Sequence, residues 1–296
     1  MAGSQIVDVL VEAFGSDQWP PPLRRKSGDK KYLLSLIDKT VASGSKEINK
    51  TSLILGSLVL GEAAEQVFES IYSKKLSTTE INLVDQRGRR NDTDYRLING
   101  QGRPLYRLNI KFHGSLFRKA QETVGLQPAD CFPLATYKIK SALDKQDQEH
   151  LPYLFVVVTG SDISAESIGK MLPPVFVEAA HYGKQIISTR KRALEEKIVQ
   201  RFIIADQERF AKIVAAIRHA RWYVFSARRA QELMREKLFE RVFALKTPSF
   251  NRAYRNAEID MHLSFSQDMM RLEDFLDLIG REGHFKLAGM LERGTI

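Results

Sequence analysis

The run LPYLFVVV at 151–158 is the longest apolar stretch in the chain. Its length and its β-branched end suit a strand buried inside a sheet. It is far shorter than the roughly 18 apolar residues that a bilayer span needs. A buried strand requires cover, and the patterns around it interleave. Helical spacing is read over 1–16 and in KKYLLSLIDKTVASGS, SLILGSLVLGEAAEQVFESIYSKKL, SLFRKAQETVGL, FPLATYKIKSALDKQ, ISAESIGKML, QERFAKIVAAIRHA, RRAQELMREKLFERVFAL and SQDMMRLEDFLDLIG. Strand patterns are read in STTEINLVDQ, TDYRLING, PLYRLNIKFHG, RFIIAD, RWYVFSA and EIDMHLSF. This order predicts an α/β chain with a mixed central β-sheet flanked by helices, and additional, mostly helical elements toward the C-terminus. SDQWPPPLRRKSGDKK, with three prolines in a row, reads as a loop or an extended arm. Repeats and low-complexity tracts are absent from the sequence, and a single extended domain over 1–296 is the simplest organisation.

The composition, 43% hydrophobic and 27% charged over 296 residues, is that of an ordinary globular protein. MAGSQIVDVLVEAF has no basic leader before its apolar stretch, which argues against a secretory signal, and the expected location is cytoplasmic, with no membrane partner. One cysteine, Cys131, rules out a disulfide framework and a zinc-cysteine cluster. The formal net charge is +9, and it is unevenly placed. Residues 181–256 carry 18 Lys/Arg against 7 Asp/Glu, and residues 257–296 carry 4 against 8. A basic segment of this kind suggests a polyanionic partner, most often nucleic acid. A solvated helical face is the competing explanation.

NDTDYRLINGQGRPLYRLNIKFHG, 91–114, reads as two strands joined by a turn at Asn99-Gly100-Gln101-Gly102. Side chains alternate along a strand, so Asn109, Lys111 and His113 share one face while Leu108, Ile110 and Phe112 take the other. Asp94, at the head of the first strand, would stand beside the polar row if the strands pair. The preceding turn brings Arg87, Arg89 and Arg90 near the same place. An aspartate with a nearby lysine suits metal-assisted phosphodiester cleavage. The carboxylate binds a hard divalent ion, the ion polarises a phosphoryl oxygen, and the lysine holds the attacking water or offsets developing charge. One carboxylate is too few to fix a metal well. Glu62, Glu65 and Glu69 in GEAAEQVFESIY and Glu122 on the following helix are the acids in reach.

A helix with Glu, a strand, a strand headed by Asp, a strand carrying x-x-Lys and then a helix: this order resembles the PD-(D/E)xK, or restriction-endonuclease-like, nuclease superfamily. The resemblance covers about residues 58–160 and rests on element order and a few residues. It implies a mixed sheet flanked by helices, Mg²⁺ dependence and cleavage of DNA. By resemblance, Asp94 matches the first metal-binding aspartate, Lys111 the catalytic lysine and Glu65 the helix glutamate. The chain departs from the pattern in two places. Thr93 replaces the proline, and Asn109 stands where Asp or Glu is expected. Some restriction endonucleases take the missing acid from the next helix, which here is Glu122, and Asp94, Glu122, Asn109 and Glu65 form the expected metal set.

The function so implied is a type II restriction endonuclease acting on duplex DNA, as a homo-oligomer with a dimer favoured. The alternatives are a catalytically silent nucleic-acid-binding protein, for which Asn109 speaks, a repair or Holliday-junction nuclease, and an assembly protein whose basic face meets an acidic partner. Arg87, Arg89, Arg90, His113, Arg218, Arg221, Arg228 and Arg229 are the candidate DNA contacts. Each has a bland explanation: basic turns are usually solvated, and a lone histidine is more often structural. Tyr95 and Tyr106 are expected to pack rather than stack on bases. P-loop, dinucleotide-binding and nucleophile-elbow signatures are all missing from the sequence.

Overall fold

The structure is a computed structural model that describes residues 2–15, 30–41, 45–76, 79–87, 93–114, 116–160, 163–187, 191–244 and 259–292. Its contacts divide the chain into two compact units, Met1–Ala63 with Asp162–Arg218, and Ala64–Ser161 with His219–Ile296. The boundary falls inside the long helix Ser45–Leu76. None of the described helices is long and apolar enough to cross a membrane.

The described part of the first unit is helical. Ala2–Phe14, Lys30–Val41, Pro174–Ile186 and Lys191–Ala205 pack together through Leu10, Leu33, Ile37, Val177, Leu194 and Ile198, all buried. Gly183 allows one close approach, since a Cβ there would meet Leu10 and Leu194 side chains at 2.7 Å. RFIIAD, expected as a strand, is instead the end of the helix Lys191–Ala205, with Asp206 just beyond it. Leu194, Ile198 and Phe202 are buried at helical spacing, and that periodicity outweighs the local β-propensity of Ile203 and Ile204.

The second unit holds a six-stranded mixed sheet in the order β1-β2-β3-β5-β6-β9, from β1 (Asn82–Asp85), β2 (Tyr95–Ile98), β3 (Pro104–His113), β5 (Tyr153–Thr159), β6 (Arg221–Ser226) and β9 (Met270–Arg271). Among the described residues of this sheet, β3 and β5 run parallel and the remaining pairs are antiparallel. A three-stranded antiparallel sheet, β4-β8-β7, comes from β4 (Cys131–Ala135), β8 (Ile259–Ser264) and β7 (Val242–Ala244). The helical spacing of FPLATYKIKSALDKQ places FPLA at the start of a helix. FPLA instead belongs to β4, because its ladder with β8 supplies backbone partners, and the helix begins at Thr136. The C-terminal part contributes β6 to β9 together with the helices Ala227–Glu236, Leu238–Arg241 and Leu272–Glu292, and the helices make up most of its described regular structure, as expected.

The turn at 99–102 joins β2 to β3 as expected. Asn99 Oδ1 accepts the N–H groups of Gln101 at 3.0 Å and Arg103 at 2.8 Å. Gly102 takes φ +75°, in the left-handed region where a side chain would strain the backbone. Both sheet faces are covered. On one, Tyr95 and Trp222 meet Phe68 of the long helix at ring distances of 5.5 and 6.5 Å, and Tyr106 meets Phe275 at 6.5 Å. On the other, Phe155, Val157, Tyr223 and Phe225 pack against Phe132, Leu134, Met261 and Leu263 of the small sheet. All seven residues of β5 are buried, as its apolar run requires.

Candidate functional site

The β1–β2 register places Asp85 opposite Tyr95, and the ladder continues one step further with Gln86 N–H donating to Asp94 C=O at 2.9 Å. The β2–β3 register sets Tyr95 opposite Leu108, so the next step brings Asp94 to Asn109. Gln86, just past the end of β1, Asp94, just before β2, and Asn109, in the middle of β3, therefore stand side by side. Lys111 lies two residues along β3 from Asn109 and on the same face.

Asp94 is held firmly. Its Oδ2 accepts the Ile110 backbone N–H at 2.6 Å, taking over the ladder where β2 has not yet begun. Burial pushes the Asp94 carboxyl above its ordinary value, and the Lys111 ammonium, the Ile110 N–H and Arg87 pull it back. Lys111 is thus close enough to act on Asp94 through its charge. Asn109 Oδ1 and Gln86 Oε1 are both buried without a hydrogen-bond partner. An unmet buried carbonyl costs about 1–3 kcal/mol. Two of them flank the one carboxylate. These are hard oxygen donors, and together with a substrate phosphate they fit a divalent cation such as Mg²⁺, which is commonly bound through few carboxylates.

The acids expected to complete a metal set stand elsewhere. Glu65 pairs with Arg87 at 2.6 Å, and the same guanidinium meets Asp85 at 2.6 Å and Glu69 at 3.2 Å. Tyr95, also under that guanidinium at 5.2 Å, donates its hydroxyl to Glu69 at 2.7 Å. Arg87 is accordingly a structural clamp between the long helix and β1. Glu122 is exposed on the short helix Ala120–Val124, which packs near β7. Among the described residues, no three of His, Cys, Asp and Glu gather as a metal-holding group.

His113 shares the face of Lys111 but is buried. Its ring meets Phe132 edge-on at 5.5 Å and Phe265 at 5.7 Å, and burial pushes its pKa down to about 4. It is a neutral core residue and not a surface contact for DNA. Arg89 and Arg90 lie outside the described residues. The basic segment 181–256 is split, with 181–218 in the first unit, 219–256 in the second, and 245–258 outside the description. Arg218 is exposed at the end of the first-unit helix Gln207–Arg218. Arg221 is exposed at the start of β6, and Arg228 pairs with Asp147 at 3.1 Å. Arg229 lines a pocket of about 300 Å³ with Arg271, Gln267 and Asp274. Tyr95 and Tyr106 are buried in the core, as expected.

Gln86 escaped the sequence reading because it stands one step past the end of β1, and its alignment with Asp94 depends on register. Comparison with protein families, with curated proteins and with solved structures gives no match for this chain.

Proposed function

We propose that this chain is a Mg²⁺-dependent DNA endonuclease on a restriction-endonuclease-like scaffold, of the type II restriction class. The observation that carries the proposal is Asp94 fixed at the head of β2, under the charge of Lys111 and beside the unmet Asn109 oxygen. The order of elements supports it: long helix, β1, β2, β3, short helix, β4, the helix Thr136–Glu149, then β5 parallel to β3.

Asp94 and Asn109 would hold the cation, which when bound polarises a phosphoryl oxygen and makes a bound water more acidic. The Ile110 N–H fixes the Asp94 carboxylate in place. Lys111 orients the attacking water and offsets negative charge growing on the phosphate. The charge excess of the second unit would meet the DNA backbone, and a two-fold dimer would match a palindromic site.

A second reading has its own support. With Glu65 held by Arg87 and Asn109 neutral, the same scaffold would bind nucleic acid without cutting it. Cleavage of long mixed-sequence duplex DNA with Mg²⁺ separates the two, comparing wild type with Asp94→Ala and Lys111→Ala. Discrete fragments from wild type, lost in both variants, are expected. Salt-sensitive binding with no cleavage by any of the three would replace the nuclease with the silent scaffold.

A further inference from the structure

We infer that Gln86 is the third oxygen ligand of the cation site, so that the ion sits in a row made by Gln86 Oε1, the Asp94 carboxylate and Asn109 Oδ1. The inference deepens the nuclease reading and rests on its placement of a cation at Asp94. Gln86 is 5% exposed, and its Oε1 is buried without a partner. Its backbone is already committed, with the N–H donating to Asp94 C=O. The side-chain oxygen is what the fold leaves unmet. Asn109 Oδ1, on the far side of Asp94, is unmet in the same way. Two orphaned carbonyls on either side of one carboxylate are explained together by one positive centre, since a cation accepts several lone pairs at once.

The row carries a single formal negative charge. A cation held by one carboxylate and two amides binds weakly by itself and gains most of its hold from the phosphate of the substrate. The chemistry therefore links metal occupancy to nucleic-acid binding. Such a site admits a hard divalent ion and disfavours softer ions that seek sulfur or imidazole.

The test is titration of the full chain with Mn²⁺ in the absence of DNA, followed by the paramagnetic signal of the free ion. Wild type is compared with Gln86→Met, which keeps the length and removes the oxygen, and with Gln86→Glu, which adds a charge. Gln86→Glu is expected to tighten Mn²⁺ about tenfold and Gln86→Met to weaken it about fivefold, because affinity follows ligand charge and count. Circular dichroism checks that both variants fold; if Gln86→Met does not, Gln86→Glu decides alone. Mn²⁺ affinity unchanged by Gln86→Glu overturns the inference, and where that chain still cuts DNA the nuclease reading survives. Affinity that follows Gln86 in a chain that cuts no DNA upholds the cation site and removes the nuclease.

Discussion

Arg87 holds Glu65 in a 2.6 Å ion pair while closing on Asp85 at 2.6 Å, and so turns an expected metal ligand into part of a clamp. A carboxylate engaged this way gives up its arginine only if something of like charge replaces it. The clamp also explains why the order of helix and strands can resemble a nuclease while the helix glutamate stands apart from the aspartate.

Replacing Arg87 by alanine leaves Asp85, Glu65 and Glu69 facing one another without a cation. Melting of Arg87→Ala should rise with added Mg²⁺ by more than that of wild type. The acid side offers a second check. Arg87 holds the Asp85 carboxyl below its ordinary value, so its share of stability is present at neutral pH and fades as pH falls through the lowered value. Asp85 is half exposed, which limits this share to about 1 kcal/mol or less. Arg87→Ala should flatten that part of the acid profile, as urea midpoints across the acid range would record.

His113 predicts a loss of stability in the same direction, this time from a buried base. Its folded pKa is about 4, below the ordinary value, so the unfolded chain takes up its proton first. The stability lost to this proton uptake therefore accrues as pH falls from about 6.5 to about 4 and is constant below that. The loss should reach a few kcal/mol, an order-of-magnitude figure at about 1.4 kcal/mol per pH unit of displacement. His113→Phe, which keeps a ring against Phe132 and Phe265, should narrow the gap between urea midpoints at about pH 8 and about pH 5. An unchanged gap would show that other groups set the acid limit.

How much of this was legible depends on the range of the interaction. β2, β3 and β5 follow from alternation and from an apolar run; β3 carries Lys111, and Asp94 immediately precedes β2. The Asn99 turn is written in its residues. β4 was missed because its partner β8 lies more than a hundred residues away, and a five-residue strand followed directly by a helix leaves a helical impression. The grip of Arg87 on Glu65 spans 22 residues and depends on how the long helix meets β1, which periodicity does not report. His113 looked exposed because strand alternation marks the face but not what covers it. The covering sheet is assembled from β4, β7 and β8, and none of their pairings is local.

The first unit offers a test of packing free of any functional reading. Gly56 on the long helix and Gly169 on Ala165–Met171 allow the two helices to touch by backbone. A Cβ on Gly169 would fall 2.6 Å from Ser52 O, and one on Gly56 would fall 2.8 Å from Gly169 N. These obstacles are main chain and cannot rotate aside. Gly169→Ala should cost about 3 kcal/mol, near the upper end for overpacking, despite alanine's better helix propensity. A denaturant midpoint equal to wild type would mean that the helices separate at no cost.

Asn109→Asp restores the acid at the position where the nuclease pattern expects one. It also sets a second carboxylate beside Asp94, whose charged form burial already disfavours. Like charges in one partly buried row raise each other's pKa, so without metal the variant should melt below wild type, most clearly at alkaline pH where both acids tend to ionise. Mg²⁺ should reverse the loss by neutralising the pair, and the melting temperature of the variant should climb with Mg²⁺ more steeply than that of wild type. If wild type is a nuclease that manages with a weak amide ligand, the variant should reach full cleavage at about tenfold less Mg²⁺. If wild type is silent for want of this one charge, the variant should cut DNA where wild type does not. Melting that is lowered and indifferent to Mg²⁺ would mean that Asp94 and residue 109 do not share an ion, and the metal would have to be sought away from this row.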